Sequence, residues 1–179
     1  FRLVSPQWAQ PDPRTGATEF AGFPGPGYNP NLIVWADWKP VTGENAWVIL
    51  GALQKAFVKY GGKVPANSEE MQLAKTLLPA FQALTTKIGA VLYTAVAPND
   101  PESYALKDVI STENNASTYA AFRALYQSTN DPQYLKMMEG IETYMKNYAW
   151  NKQGNVFYQG GNYSGNTFRP NATQLTLTL

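Results

Sequence analysis

Residues 31–50 read NLIVWADWKPVTGENAWVIL. Trp35, Trp38 and Trp47 stand beside Asp37, Lys39 and Glu44, and the stretch passes directly into the most apolar helix-like segment of the chain. Leu32 to Ala36 reads as a short strand or extended chain, and Pro40 ends it. Thr42 is placed to cap a helix from Gly43 to about Tyr60, which Gly61-Gly62 stops. Ala46, Leu50, Leu53, Phe57 and Tyr60 have helical spacing. Trp47, Val48 and Ile49 are apolar on the other sides, so burial nearly all round is expected. Flat rings beside carboxylates at the mouth of such a helix suit a carbohydrate cleft. A ring offers its face to the C–H side of a sugar, and a carboxylate accepts hydrogen bonds from its hydroxyls. The same residues equally suit core aromatics with a capped helix start.

Upstream, residues 1–30 carry Pro6, Pro11, Pro13, Pro24, Pro26 and Pro30 with a Gly-Pro alternation. Each proline removes a donor and constrains its predecessor, so an extended arm is expected, pinned by Trp8, Phe20, Phe23 and Tyr28. Downstream, Ser68 caps a one-sided helix with Ala74, Leu78, Phe81 and Ile88 on its buried stripe, and Pro79 should kink or interrupt it. Val91 to Val96 reads as a short strand, closed by a turn at Pro98 to Pro101.

Ser111 caps a further helix to about Gln127, and Asn130 or Asp131, followed by Pro132 at the first helical position, opens another with the stripe Tyr134, Met138, Ile141, Met145 and Tyr148. Gly154 should end it before a strand at Asn155 to Tyr158. The Thr/Leu alternation of Phe168 to Leu179 reads as an isolated, strand-like tail. Glu44-Asn45 and Glu113-Asn114 lie 69 residues apart, each opening an apolar helix followed by an amphipathic one, Gly and a short strand. Such a period is that of stacked helical hairpins. The expected organisation is therefore an arm (1–30), a hairpin-repeat domain (31–161) and a tail (162–179).

Composition narrows the chemistry. The 179 residues are enough for one domain with a real core, and 44% are hydrophobic and 13% aromatic. Charged residues make up only 15% and the net charge is +1, with Lys and Arg scattered singly, which argues against nucleic acid. Without Cys or His, disulfides, zinc sites, thiol nucleophiles and Ser-His-Asp triads are excluded within this chain, and neither metal nor cofactor is expected. The longest apolar run is far shorter than the roughly 20 residues that span a bilayer, so no membrane partner is expected. A start at Phe1 is read as the mark of a processed or partial product, which leaves room for an export signal already removed. The expected location is secreted, extracellular.

Gly43-Glu44-Asn45-Ala46-Trp47 and Ser111-Thr112-Glu113-Asn114-Asn115, with the Asp131-Pro132-Gln133-Tyr134-Leu135 helix opening and the turn-strand from Gly154 to Gly161, resemble the six-hairpin glycosidase superfamily. The resemblance covers residues 31–161. It implies a mainly α fold of helical hairpins forming part of an (α/α) toroid, with short β strands between hairpins. In such toroids the inner helices begin around a central cavity that holds the sugar. The resemblance therefore places Glu44, Asn45, Glu113 and Asn114 at a cleft, with Trp35, Asp37, Trp38, Trp47 and Tyr119 as stacking or polar neighbours. A full toroid needs about twelve helices and this chain supplies about four.

Glycoside hydrolysis needs two carboxylates, one to protonate the leaving oxygen and one to attack or activate water. Glu44, Glu113 and Asp37 are the candidates. An acid in a helix's first turn also complements the macrodipole, which leaves a structural role open for either Glu. Asn45, Asn114 and Asn115 likewise suit local backbone bonding. Of the sequons at Asn115, Asn162 and Asn171, only Asn162, in a Gly-rich loop, suits glycosylation. The functional expectation is a glycoside-hydrolase-like protein acting on or binding a polysaccharide. The alternatives are a carbohydrate-binding module, and a non-catalytic extracellular subunit that self-associates through open toroid edges.

Overall fold

Apolar residues at helical spacing become helices α1 (Thr42–Lys59), α2 (Glu69–Ala83), α3 (Thr112–Thr129) and α4 (Pro132–Tyr144). The computed structural model describes residues 9–11, 18–20, 41–96, 104–171 and 174–175. By contacts, residues 2–38 group separately from residues 39–179. Within the first group, β1 (Ala9–Pro11) and β2 (Thr18–Phe20) pair antiparallel, Ala9 opposite Phe20. The pinning residues Trp8, Phe23 and Tyr28, and the turn at Pro98 to Pro101, lie outside the described residues.

Three helix starts follow from local chemistry. Ser68 Oγ accepts from Met71 N (3.2 Å), Ser111 Oγ from Asn114 N (3.2 Å), and Asp131 Oδ1 from Gln133 N (2.9 Å) with Pro132 at the first helical position. Helix α1 departs from the expectation. Its cap position is Val41, and Thr42 is already helical. The Thr42 hydroxyl instead donates to Leu92 O and Tyr93 O (both 3.1 Å), so it ties α1 to the segment after α2. Helix α2 continues through Pro79, which is exposed, so water can take the carbonyl that proline leaves without a donor.

Helices α1 and α2 form one hairpin and α3 and α4 the next, with α1 also packed on α3. A relay of rings crosses the joint: Phe81 meets Phe122 edge-on (5.4 Å), and Phe122 stacks on Tyr134 (6.1 Å). Helix α1 is not buried all round. Ala46, Ile49, Leu53 and Ala56 are inside, whereas Trp47, Phe57 and Val58 are 66%, 50% and 71% exposed. Its packed neighbours α2 and α3 cover one side only. Lys55 and Lys59 of α1 both reach Glu70 Oε1 of α2 (3.2 Å each), although Glu70 itself is buried.

The α4 stripe is reset by a π turn. Tyr134, Met138 and Ile141 are buried as expected, but from Met145 to Ala149 the backbone winds wider. Tyr144 and Ala149 are then the buried positions, and Tyr148 is turned partly outward. The helical run therefore ends at Ala149, before Gly154. Tyr144 OH and Thr112 Oγ1 share a hydrogen bond (3.0 Å), and burial pushes the phenol up to about 12.

No strand forms at Val91 to Val96. Isolated bridges pair Val41 with Thr94 and Thr85 with Val91. Strand β3 (Val109–Ser111) joins β6 (Gly160–Ser164) and β7 (Thr167–Pro170), while β4 (Trp150–Asn151), β5 (Val156–Tyr158) and β8 (Gln174–Leu175) form a second sheet. The Phe168 to Leu179 stretch is thus not isolated, because β7 and β8 each pair with an earlier strand.

A buried amide locks the two hairpins. Asn115 on α3 is fully buried, accepts from Val91 N (2.7 Å), and donates to Val91 O (2.9 Å) and Ser111 O (2.9 Å). Replacing it with Leu strands the Val91 N–H and C=O without water. Asn115→Leu should cost roughly 3 kcal/mol or more in urea-induced unfolding.

The Glu70 carboxyl is held below its ordinary value of 4.5, first by a hydrogen bond from its own backbone N–H and then by Lys55 and Lys59, against the opposing effect of burial. A depressed native value means the stabilisation is complete above the unfolded-state value and lost as pH falls through the native one. The stability gap between wild type and Glu70→Gln should be constant at neutral pH and close on acidification, as followed by thermal melts across pH.

Candidate functional site

Both first helices of the hairpins open onto one cleft of about 690 Å3. Val41, Gly43, Glu44 and Trp47 border it from the α1 side, and Ser111, Glu113, Asn114 and Ser117 from the α3 side. The floor comes from the linkers and the β3–β6 pair: Tyr93, Val109, Ile110, Gln159, Gly160, Gly161, Asn162 and Asn171. The volume lies within the range of small-molecule sites.

The linkers are held where they are by backbone bonds. Thr42 N donates to Tyr93 O (2.9 Å), Tyr93 N to Val109 O (2.7 Å) and Thr112 N to Gln159 O (2.9 Å). Asn171 N donates to Gly160 O (3.0 Å), and Gly160 N to Asn171 Oδ1 (3.2 Å). Gly160 has to be glycine, since a Cβ there would overlap Ile110 O of β3.

The two helix starts match with an offset of 70 residues, not 69. Asn45 Nδ2 donates to Val41 O (2.8 Å) as Asn115 Nδ2 does to Ser111 O, so Asn45 corresponds to Asn115 and Thr42 to Thr112. Glu44 then corresponds to Asn114, and Gly43 to Glu113. The two acids therefore reach the cleft from neighbouring, non-equivalent positions of the first turn. Both are solvent-exposed, and each sits where the positive end of a helix dipole favours an anion. Asn114 fills the space beside Gly43: a Cβ on Gly43 would come within 2.5 Å of Asn114 Oδ1. Asn114 Nδ2 is buried and has no hydrogen-bond partner among the described residues.

Of the residues singled out by sequence, Glu44, Trp47, Glu113, Asn114 and Asn162 line this cleft together. Asn162 stands in strand β6 opposite Arg169, not in a loop. Asn45 is buried and borders a separate pocket. Tyr119 OH donates to Glu142 Oε1 of α4 (2.9 Å), a bond that raises the phenol above its ordinary value and directs it away from the cleft. Trp35, Asp37 and Trp38 lie outside the described residues. The linker residues Tyr93, Gln159 and Asn171 were not anticipated. Their one signal was the Gly160-Gly161 pair, which marks close backbone approach. No cluster of three or more His, Cys, Asp or Glu that could hold a metal occurs among the described residues.

Paired helical hairpins, with the first helix of each opening on a common cleft, define part of an (α/α) toroid. That fold is shared with two solved α-mannanases. An inactive variant of the alpha-1,6-mannanase GH76A of Salegentibacter sp. HEL1_6, with two aspartates changed to asparagine and bound to alpha-1,6-mannotriose, superposes with a TM-score of 0.55 at 10% identity. That match covers 73% of this chain and 35% of the mannanase. The GH76 alpha-mannanase of Bacteroides thetaiotaomicron, solved as a selenomethionine derivative, gives 0.56 at 17% identity, over 92% of this chain and 40% of its own. Both are six-hairpin toroids, so the chain spans about two fifths of such a protein or less. No protein-family model matches the chain, and comparison with curated proteins finds no match. No helix among the described residues is long and apolar enough to cross a membrane.

Gly43→Ala should displace the Asn114 amide, the flexible partner in that contact, while the fold survives. The expected result is a melting temperature within a few degrees of wild type, with a large shift of the Asn114 side-chain amide resonances in NMR spectra.

Proposed function

We propose that this cleft takes a polysaccharide chain and that the protein is a secreted, glycoside-hydrolase-like protein. In this reading Glu44 and Glu113 are the carboxylates at the scissile bond and Trp47 is a stacking face. Asp37, Trp35, Trp38, Asn45 and Tyr119 were further candidates. Of these, Asn45 and Tyr119 are left out because their side chains are engaged away from the cleft. One observation carries the proposal: two acids and an exposed tryptophan, supplied by separate repeats, border a single hollow. One carboxyl would protonate the leaving oxygen while the other attacks or activates water. A polysaccharide ligand in turn supports an extracellular location.

The neighbours make alpha-1,6-mannan the first glycan to test. A second reading, glycan binding without hydrolysis, is favoured by two observations. The Salegentibacter mannanase is inactive with two neighbouring aspartates changed, and this chain has no Asp-Asp pair. Both cleft glutamates are also solvent-exposed, where a hydrolase's proton donor is usually shielded. Self-association draws support from the exposed Phe57 and Val58 on α1.

With alpha-1,6-mannan and a reducing-end assay, Glu113→Gln and Glu44→Gln should each lower the rate about 100-fold or more with the fold intact. Trp47→Ala should weaken mannan retention in affinity electrophoresis by roughly tenfold. Retention without sugar release would select the binding reading. No retention across a panel of neutral polysaccharides would end both.

A further inference from the structure

The amide of Asn45 is only half used. The residue is 6% exposed, its Nδ2 donates to Val41 O (2.8 Å), and its Oδ1 has no partner among the described residues. It borders a pocket of about 290 Å3, separate from the cleft, together with Thr42, Leu77, Ala80, Phe81 and Leu84. No charged residue contributes to that lining among the described residues. A buried acceptor without a donor is costly, and native structures seldom leave one so.

The second hairpin shows what such an amide holds. Asn115, the counterpart of Asn45, makes the same bond back to the residue four before it and then clamps Val91 from both sides. Val91 N donates to Asn115 Oδ1 (2.7 Å), Val91 O accepts from its Nδ2 (2.9 Å), and the Val91 side chain is fully buried. Val91 lies where the chain leaves the α1–α2 hairpin, so Asn115 is the socket in which one hairpin receives the exit of the one before it.

We infer that Asn45 is the same socket, open among the described residues: it binds an extended, mainly apolar backbone segment at the exit of a further helical hairpin. One N–H of that segment donates to Asn45 Oδ1, the following C=O accepts from Nδ2, and a side chain of about valine size enters the pocket against Leu77 and Phe81. The inference does not rest on the sugar reading, because the pocket and the cleft share no lining residue among the described ones.

The test uses the segment that Asn115 already holds. A fluorescein-labelled peptide with the sequence of residues 84–96, LTTKIGAVLYTAV, is titrated into the intact chain and followed by anisotropy. Saturable binding is expected, weakened tenfold or more by Asn45→Leu in the protein. Binding should be lost when the peptide carries Val91→Pro, which has no N–H to donate, and unchanged by Glu113→Gln in the protein. Without peptide, Asn45→Leu should leave the melting temperature near wild type while Asn115→Leu lowers it. Absent binding, or binding indifferent to Asn45→Leu or to the proline peptide, overturns the inference. So does an Asn45→Leu melting loss as large as that of Asn115→Leu, since the acceptor would then already be engaged within the chain. A concentration-dependent dimer abolished by Asn45→Leu would put a second copy in the socket and overturn the hairpin assignment.

Discussion

Most of what is ordered around the cleft depends on one side-chain amide. Asn115 has no water to turn to, so its donor and acceptor must be met by protein, and Val91 and Ser111 meet them. That requirement fixes the exit of the first hairpin against the start of the second helix pair. Since Ser111 is at once the cap of α3 and the last residue of β3, the clamp also sets the sheet edge. Val91 carries the constraint inward, where it joins the cluster containing Phe81 and Phe122. Hydrophobic burial supplies the bulk of the free energy, but it is non-directional. The amide is what selects one register between the hairpins.

From that register follows the asymmetry of the cleft. Equivalent positions in the two repeats carry Gly43 and Glu113, then Glu44 and Asn114. The missing side chain at Gly43 is the space that Asn114 fills. Two identical helix starts would set like charges at symmetric points and leave the centre to repulsion. Here the acids are displaced by one residue, about 100° around the helix, and a neutral amide stands between the starts. Under the proposed hydrolase reading, such an offset would suit a reaction with separate proton donor and nucleophile.

Much of the fold could be read from the sequence because it rests on short-range rules. Ser68, Ser111 and Asp131 cap helices by chemistry within three residues, and the α4 stripe up to Ile141 follows from spacing alone. Misreadings occurred where distant partners intervene. Thr42 looked like a cap but bonds to Leu92 and Tyr93, about 50 positions away. Ala149 takes the buried place expected of Tyr148 because a π turn, invisible to a 3.6-residue period, widens the last turn. The tail looked isolated because its partners β5 and β6 come earlier in the chain. At the site, Glu44, Glu113 and Trp47 were legible from their place at helix starts, whereas Tyr93, Gln159 and Asn171 depend on linker paths that no local pattern specifies.

The exposed face of α1 bears on how such a unit holds together. An inner helix of a closed ring has neighbours on both flanks, and its sequence is apolar accordingly, as Trp47, Val48, Ile49 and Leu50 show. Here α2 and α3 pack on one side, Phe57 and Val58 are exposed, and Asn45, buried near α2, has an acceptor without a partner among the described residues. Apolar area and a buried polar atom are both favourable only when covered. They occur on the helix whose equivalent, α3, has a preceding hairpin packed against it. Among the described residues α1 is covered on one side, and the socket inferred for Asn45 would give a second cover a direction.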